Sequence, residues 1–227
     1  MKLLYHTASL YQLYPAADYE ATLDERISVI LTAGADGVEL SDGPRGILDW
    51  QPTPAIIKLL QKVVVTIHAE LDQNYRIAQL VAKLKLLPFR IANITFHPDE
   101  LLAEDWSNLR QLPWPVSIEN MDANRSNWRT PAELLATIPQ GVGLTLDTAH
   151  AAEHNLTTED FRPLFTPFEM HLSTPTPESH HTPYCLAPKQ AIYVPNGCPL
   201  GVLEGSVPDL QTVANELDYV CNNLKWI

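Results

Sequence analysis

Asp147 and His150 stand three positions apart in Gly143-Leu144-Thr145-Leu146-Asp147-Thr148-Ala149-His150-Ala151, and both side chains are of types that bind divalent cations. Leu144, Thr145 and Leu146 predict a short, fully covered strand that closes on Asp147. Open α/β sheets and barrels carry their reactive groups at that end of the strand. His150 falls in the following turn and can face the same pocket. An Asp in this position also caps helices, so the pair alone decides nothing. The arrangement recurs: Glu39, His68, His97, Glu119, Asp147, His171 and Glu204 each close, or lie within, an apolar segment. Any one of them is explained by a buried imidazole bonded to a carbonyl, or by an acid capping the next helix. Seven in succession are not, because carboxylates crowded into one mouth repel one another. A divalent cation makes such a cluster tolerable. Mixed carboxylate and imidazole donors suit Mn²⁺, Co²⁺ or Zn²⁺ alike.

These residues need elements to carry them. Leu3 to Tyr5 reads as a first strand, and Asp18 to Thr32 as a helix with Leu23, Ile27, Ile30 and Leu31 at helical spacing. Gly37 to Leu40, Val63 to His68, Ile91 to His97, Val116 to Asn120, Glu169 to Leu172 and Val202 to Glu204 are further strands. Helices are expected from Thr53-Pro54, over Tyr75 to Leu87, about Glu100 to Leu112, Thr130-Pro131 to Ile138, Thr157 to Phe165 and Val207 to Leu224. Residues 173–200 break the rhythm, holding six of the chain's 19 prolines, and predict a long functional loop. Eight strands alternating with about seven helices favour closure into a barrel, which removes both sheet edges. The expectation is a compact α/β (β/α)8 TIM barrel forming one domain over residues 1–227, with the helix between strands seven and eight shortened or replaced by a loop.

Composition narrows the function. Of 227 residues 45% are hydrophobic and 19% charged, a globular profile with no apolar run of membrane-spanning length. The first residues make a poor signal peptide. Asp and Glu outnumber Lys and Arg 27 to 15, a net charge of −12 that repels a phosphate backbone and makes a nucleic-acid partner unfavourable. Pro44-Arg45-Gly46 could touch a phosphate, while Lys189 is the one Lys or Arg of the 173–200 loop. Cys185, Cys198 and Cys221 show no CxxC spacing and fit a reducing cytoplasm. Trp50, Trp106, Trp114 and Trp128 cover the barrel, with Trp50 and Phe96 nearest the expected mouth. Asn120 orients a neighbouring side chain. His6 receives no role, and His154 and His181 are expected in solvent.

The chain resembles the xylose isomerase-like barrels, a superfamily of sugar and sugar phosphate isomerases and epimerases and the endonuclease IV type of repair enzyme. The resemblance rests on Ile67-His68-Ala69, Phe96-His97-Pro98, Ser117-Ile118-Glu119-Asn120-Met121, Leu146-Asp147-Thr148-Ala149-His150-Ala151, Met170-His171-Leu172-Ser173 and Val202-Leu203-Glu204-Gly205. In the epimerase branch it implies one metal on Glu119, Asp147, His171 and Glu204. The two glutamates would act as acid and base on opposite faces of a sugar or polyol, with the metal stabilising the enediolate. His68, His97, His150, Phe96 and Trp50 would then line the substrate pocket. In the endonuclease IV branch it implies three zinc ions, the first on His68, His97 and Glu119 and the second on the same four ligands. The third would take His150 with Glu178 and His180, a departure because that family uses Asp. A barrel that binds metal and ligand without turnover is the third reading. Nothing in the residues specifies phosphorylation or oligomeric state.

Overall fold

The computed structural model describes residues 1–14, 18–42, 47, 50–163, 165–187 and 191–227. Pro44-Arg45-Gly46 and Lys189 lie outside the described residues. Eight parallel strands close into a barrel: β1 (Lys2–His6), β2 (Gly37–Asp42), β3 (Val64–Ala69), β4 (Asn93–Phe96), β5 (Val116–Glu119), β6 (Gly143–Asp147), β7 (Glu169–Leu172) and β11 (Leu200–Leu203). β11 returns beside β1, in register Leu4 to Val202. The fold expected from the sequence is the one observed.

Strand alternation sorts the side chains into two layers. Outward residues such as Val38, Leu40, Val65, Ile67, Ile94, Ile118, Leu144, Leu146, Met170 and Leu203 form the main core beneath the helices. Inward residues build the barrel's interior in tiers. Leu4, Leu200 and Val202 make a small apolar floor, with Val64 and Phe168 packed against it. Above it, Glu39, Thr66, Thr95, Ser117, Thr145 and Glu169 form a fully buried polar tier. At the carboxyl rim stand His6, His68, His97, Glu119, Asp147, His171 and Glu204.

The helices on the outside are α1 (Tyr19–Thr32), α2 (Pro54–Leu60), α3 (Ile77–Leu84), α4 (Ala103–Asn108), α5 (Pro131–Thr137), α6 (Thr148–Glu153), α7 (Thr158–Phe161) and α8 (Leu210–Asn223). Their starts follow the capping signals. Thr53 accepts from the Ile56 N–H, with Pro54 at the first helical position. Thr130 and Glu133 form a reciprocal capping box ahead of Pro131. Their extents fall short of expectation: α3 stops at Leu84, α4 gives way to a 3-10 turn at Leu109, and α7 is one turn long. α6 starts directly after Asp147, in line with the capping role open to that residue.

Among the described residues no helix connects β7 to β11. A hairpin replaces it, β8 (Thr174–Thr176) with β9 (Ser179–Thr182), followed by β10 (Ile192–Val194). β10 pairs in parallel with a strand after the last helix, β12 (Leu224–Trp226), which the sequence reading missed. The Glu216 carboxylate on α8 accepts the N–H groups of Tyr184 and Cys185, at 2.8 and 2.7 Å, and fixes the turn after the hairpin. No helix is long and apolar enough to cross a membrane among the described residues.

Candidate metal centre

Glu119, at the end of β5, is the hub of the rim. Its Oε2 lies 3.1 Å from His68 Nε2 and 3.2 Å from His97 Nε2. Its Oε1 lies 3.2 Å from His171 Nδ1 and 3.5 Å from His150 Nδ1. Glu204 approaches the same His171 Nδ1, its Oε1 also at 3.2 Å. Ligand atoms of Glu119, Asp147, His171 and Glu204 all fall within 4.8 Å of one another, and so do those of His68, His97 and Glu119. The strand ends thus bring the sequence-selected acids and imidazoles to one place.

Asp147 divides its oxygens. Oδ1 caps α6 by accepting the His150 N–H at 2.6 Å. Oδ2 is buried and has no hydrogen-bond partner among the described residues. The capping and metal-binding readings of this residue are therefore compatible. Asn120 clamps β5 to β6: its Oδ1 accepts the Asp147 N–H at 2.7 Å and its Nδ2 donates to the Asp147 carbonyl at 3.1 Å. His150 Nδ1 sits 2.8 Å from the Asn120 carbonyl. A carbonyl only accepts, so Nδ1 carries a proton, and in the neutral ring Nε2 is the nitrogen with the free lone pair.

Burial sets the electrostatics. It pushes Asp147 up to about 6 and lowers His6 to about 3. It also opposes charge on Glu119, but the His171, His68 and His97 imidazoles outweigh it and hold this carboxyl well below the usual range. For His171, burial is again the largest single influence, yet the Glu204, Glu119 and Glu39 carboxylates together raise its pKa well above the ordinary value. The rim is an array of charge pairs that a divalent cation can replace ligand by ligand.

Several expectations need correction. Glu178 and His180 are exposed, and His180 turns away to bond Glu153. His181, expected in solvent, faces the rim instead: its Nδ1 is 2.9 Å from Ser173 Oγ and 3.8 Å from Asp147 Oδ2. Asp147, His150 and His181 form a further group of possible ligands. His6 also reaches the rim, 3.5 Å from Glu204. His154 is half-buried and sits 3.3 Å from the Met121 carbonyl. Trp50 is buried away from the mouth, its indole N–H bonded to Asp24 of α1 at 2.9 Å. Phe96 sits between the inward Thr95 and His97, and so packs outward in the core. Trp106, Trp114 and Trp128 pack against that core from its edge.

A cavity of about 240 Å³ opens over the rim, lined by His6, His68, His97, Glu119, His150, His181 and Glu204 and, from the loop after β5, Met121, Asp122 and Arg125. Arg125 is the residue that sequence reasoning passed over; its Nη1 pairs with Asp99 at 2.7 Å. Its one available signal was its place six residues beyond the β5 terminus.

Fold and rim together define a (β/α)8 barrel with a carboxylate–imidazole centre at its carboxyl end. No family model and no curated protein sequence matches the chain. Among solved structures, that of an L-ribulose 3-epimerase superposes with a TM-score of 0.62, covering 97% of this chain and 93% of that one at 12% identity. At that identity the likeness is one of fold, a closed eight-stranded parallel barrel.

Proposed function

We propose that the protein is a divalent-metal-dependent isomerase or epimerase of a sugar or related polyol. The observation that carries this reading is the convergence of Glu119, Asp147, His171 and Glu204, with ligand atoms within 4.8 Å of one another, beneath a cavity of small-molecule size. The donor set fits a cation: three carboxylates and an imidazole, with Asp147 Oδ2 buried and unpartnered among the described residues. A cation held by those four residues supplies Lewis-acid polarisation of a substrate carbonyl. Glu119 and Glu204 each place an Oε1 3.2 Å from the same imidazole nitrogen, His171 Nδ1. In the proposed reaction one of them takes the proton α to the carbonyl and the other returns one to the opposite face. His68, His97 and His150 border the cavity and offer hydrogen bonds to substrate hydroxyls.

The test is incorporation of solvent deuterium at the carbon next to the carbonyl, across a panel of ketoses with Mn²⁺. Incorporation is expected with the native chain, and a loss of about 100-fold or more in Glu119→Gln and in Glu204→Gln. Silence across the whole panel with metal bound would sink the reading.

A second reading, a zinc phosphodiesterase of the endonuclease IV type, is favoured by the additional His68–His97–Glu119 and Asp147–His150–His181 groups. Against it, Glu178 is exposed and His180 is engaged by Glu153. Three tightly held zinc ions and incision of an abasic duplex would install it in place of the first.

A further inference from the structure

Below the rim, His171 poses a question that the four expected ligands leave open. Its Nδ1 faces Glu119 and Glu204, so its Nε2 points down into the polar tier. Two carboxylates wait there, Glu39 from β2 and Glu169 from β7, each with an Oε1 3.5 Å from Nε2. Neither is in hydrogen-bond geometry with it, and Nε2 has no other partner among the described residues. The two distances are equal, so the surroundings of each carboxylate decide which is the stronger acceptor.

The surroundings differ. Glu169 Oε1 is braced by the Thr95 hydroxyl at 2.8 Å and the Asn93 amide at 3.3 Å. Those two side chains are themselves tied to Ser117, at 3.3 and 2.6 Å, while Ser117 and Thr145 lie 2.6 Å apart. Besides the His171 ring itself, Glu39 receives one side-chain donor among the described residues, Thr66 at 3.3 Å, and burial raises its pKa to about 7, which weakens it as an acceptor. Donors aimed at a carboxylate favour its charged, accepting form and fix its position. A metal-binding imidazole needs such an acceptor on its second nitrogen, which sets the tautomer and the ring's orientation and raises the ligand's basicity.

We infer that Glu169 is a positioning residue for the metal centre: held by Thr95 and Asn93, it accepts the His171 Nε2–H and leaves Nδ1 deprotonated toward the rim. This role rests on the metal reading given under Proposed function. The Ser, Thr and Asn side chains of β4, β5 and β6 then have a purpose, since they hold Glu169 where an ordinary barrel interior would carry branched apolar residues.

The experiment compares the full chain with E169Q and E39Q, measuring Zn²⁺ and Mn²⁺ affinity by competition with a chromophoric chelator. Circular dichroism serves as the fold control. E169Q is expected to bind about 10- to 100-fold more weakly, and E39Q within about threefold of the native chain. Unchanged affinity in E169Q, or an equal loss in E39Q, overturns the assignment. Nitrogen-15 spectra of the zinc-loaded native chain give an independent readout. A His171 ring protonated at Nε2, with a resonance that moves in E169Q and not in E39Q, supports the role, and a ring protonated at Nδ1 refutes it. Should E169Q fail to fold, the native tautomer alone decides. A native chain that binds neither ion removes the metal reading itself and this role with it, whereas native binding that E169Q leaves intact removes only the role.

Discussion

Asp147 joins local structure and chemistry in one side chain, because one oxygen holds the first turn of α6 and the other is left to the rim. The two functions separate by substitution. Asp147→Asn retains an oxygen for the His150 N–H and loses the charge. Asp147→Ala loses both. In metal-free protein the alanine variant should be less stable than the asparagine variant by about 1 kcal/mol, the usual value of a cap. Both should lose metal affinity. Urea titrations of the two variants check the first point and chelator competition the second; equal stability would mean that the cap contributes nothing. The same residue marks what was legible at this scale. Acid and imidazole at strand ends were readable because strands end where buried apolar residues stop. Phe96 was misplaced for an equally physical reason. Side chains alternate along a strand, so Phe96, between Thr95 and His97, has to face the helices. His6, two residues beyond the inward Leu4, has to face the interior by the same rule.

Close approach of backbones sets the elements. A Cβ on Gly37 would lie 1.9 Å from the Val64 carbonyl oxygen, where β2 meets β3. Gly37→Ala therefore forces two ladder strands apart, with an expected loss of about 3 kcal/mol, read as a fall of roughly 6 to 12 °C in Tm. An unchanged Tm would show that this edge of the ladder relaxes freely. The start of β1 is pinned electrostatically instead: Asp36 accepts from Lys2 Nζ at 2.7 Å and from the Leu3 N–H at 3.0 Å. Partial burial works against the Asp36 charge, but Lys2 and the Leu3 N–H outweigh it and lower the pKa below 3.8. A depressed acid stabilises the fold above its unfolded pKa and ceases to do so as pH falls through the folded value. The side chain is over a third exposed, so solvent screening keeps the contribution below about 1 kcal/mol. The stability difference between the native chain and Asp36→Asn should be present at pH 7 and shrink below about pH 4, as denaturant titrations at both values would reveal. The eight barrel strands were legible because each is an apolar run with an inward acid, imidazole or small polar group. β8, β9 and β12 were not. Pro175 and Pro177 hide the hairpin from any pattern of strand propensity. The three residues of β12 have no periodicity of their own and become a strand only by finding β10.

For the molecule as a whole, the polar barrel interior makes stability depend on what occupies the rim. Glu39, Glu119, Asp147 and Glu169 are all buried, with Glu204 nearly so, in a chain whose net charge is already −12. Imidazolium groups offset part of that charge, but Asp147 Oδ2, Glu39 Oε2 and Glu169 Oε2 have no hydrogen-bond partner among the described residues. A cation that binds the folded rim and not the unfolded chain stabilises the fold by mass action, by about 2.7 kcal/mol at 100 times its Kd. For a domain of this size that corresponds to a rise of roughly 5 to 10 °C in Tm. Calorimetry of chelator-treated protein with added Mn²⁺ or Zn²⁺ measures it. The rise should vanish on restoring the chelator and should be much reduced in Glu119→Gln, where the hub of the rim loses its charge while the barrel keeps its shape. A Tm indifferent to saturating metal would mean that the imidazolium–carboxylate pairs are the rim's resting solution and not a set of ligands awaiting an ion.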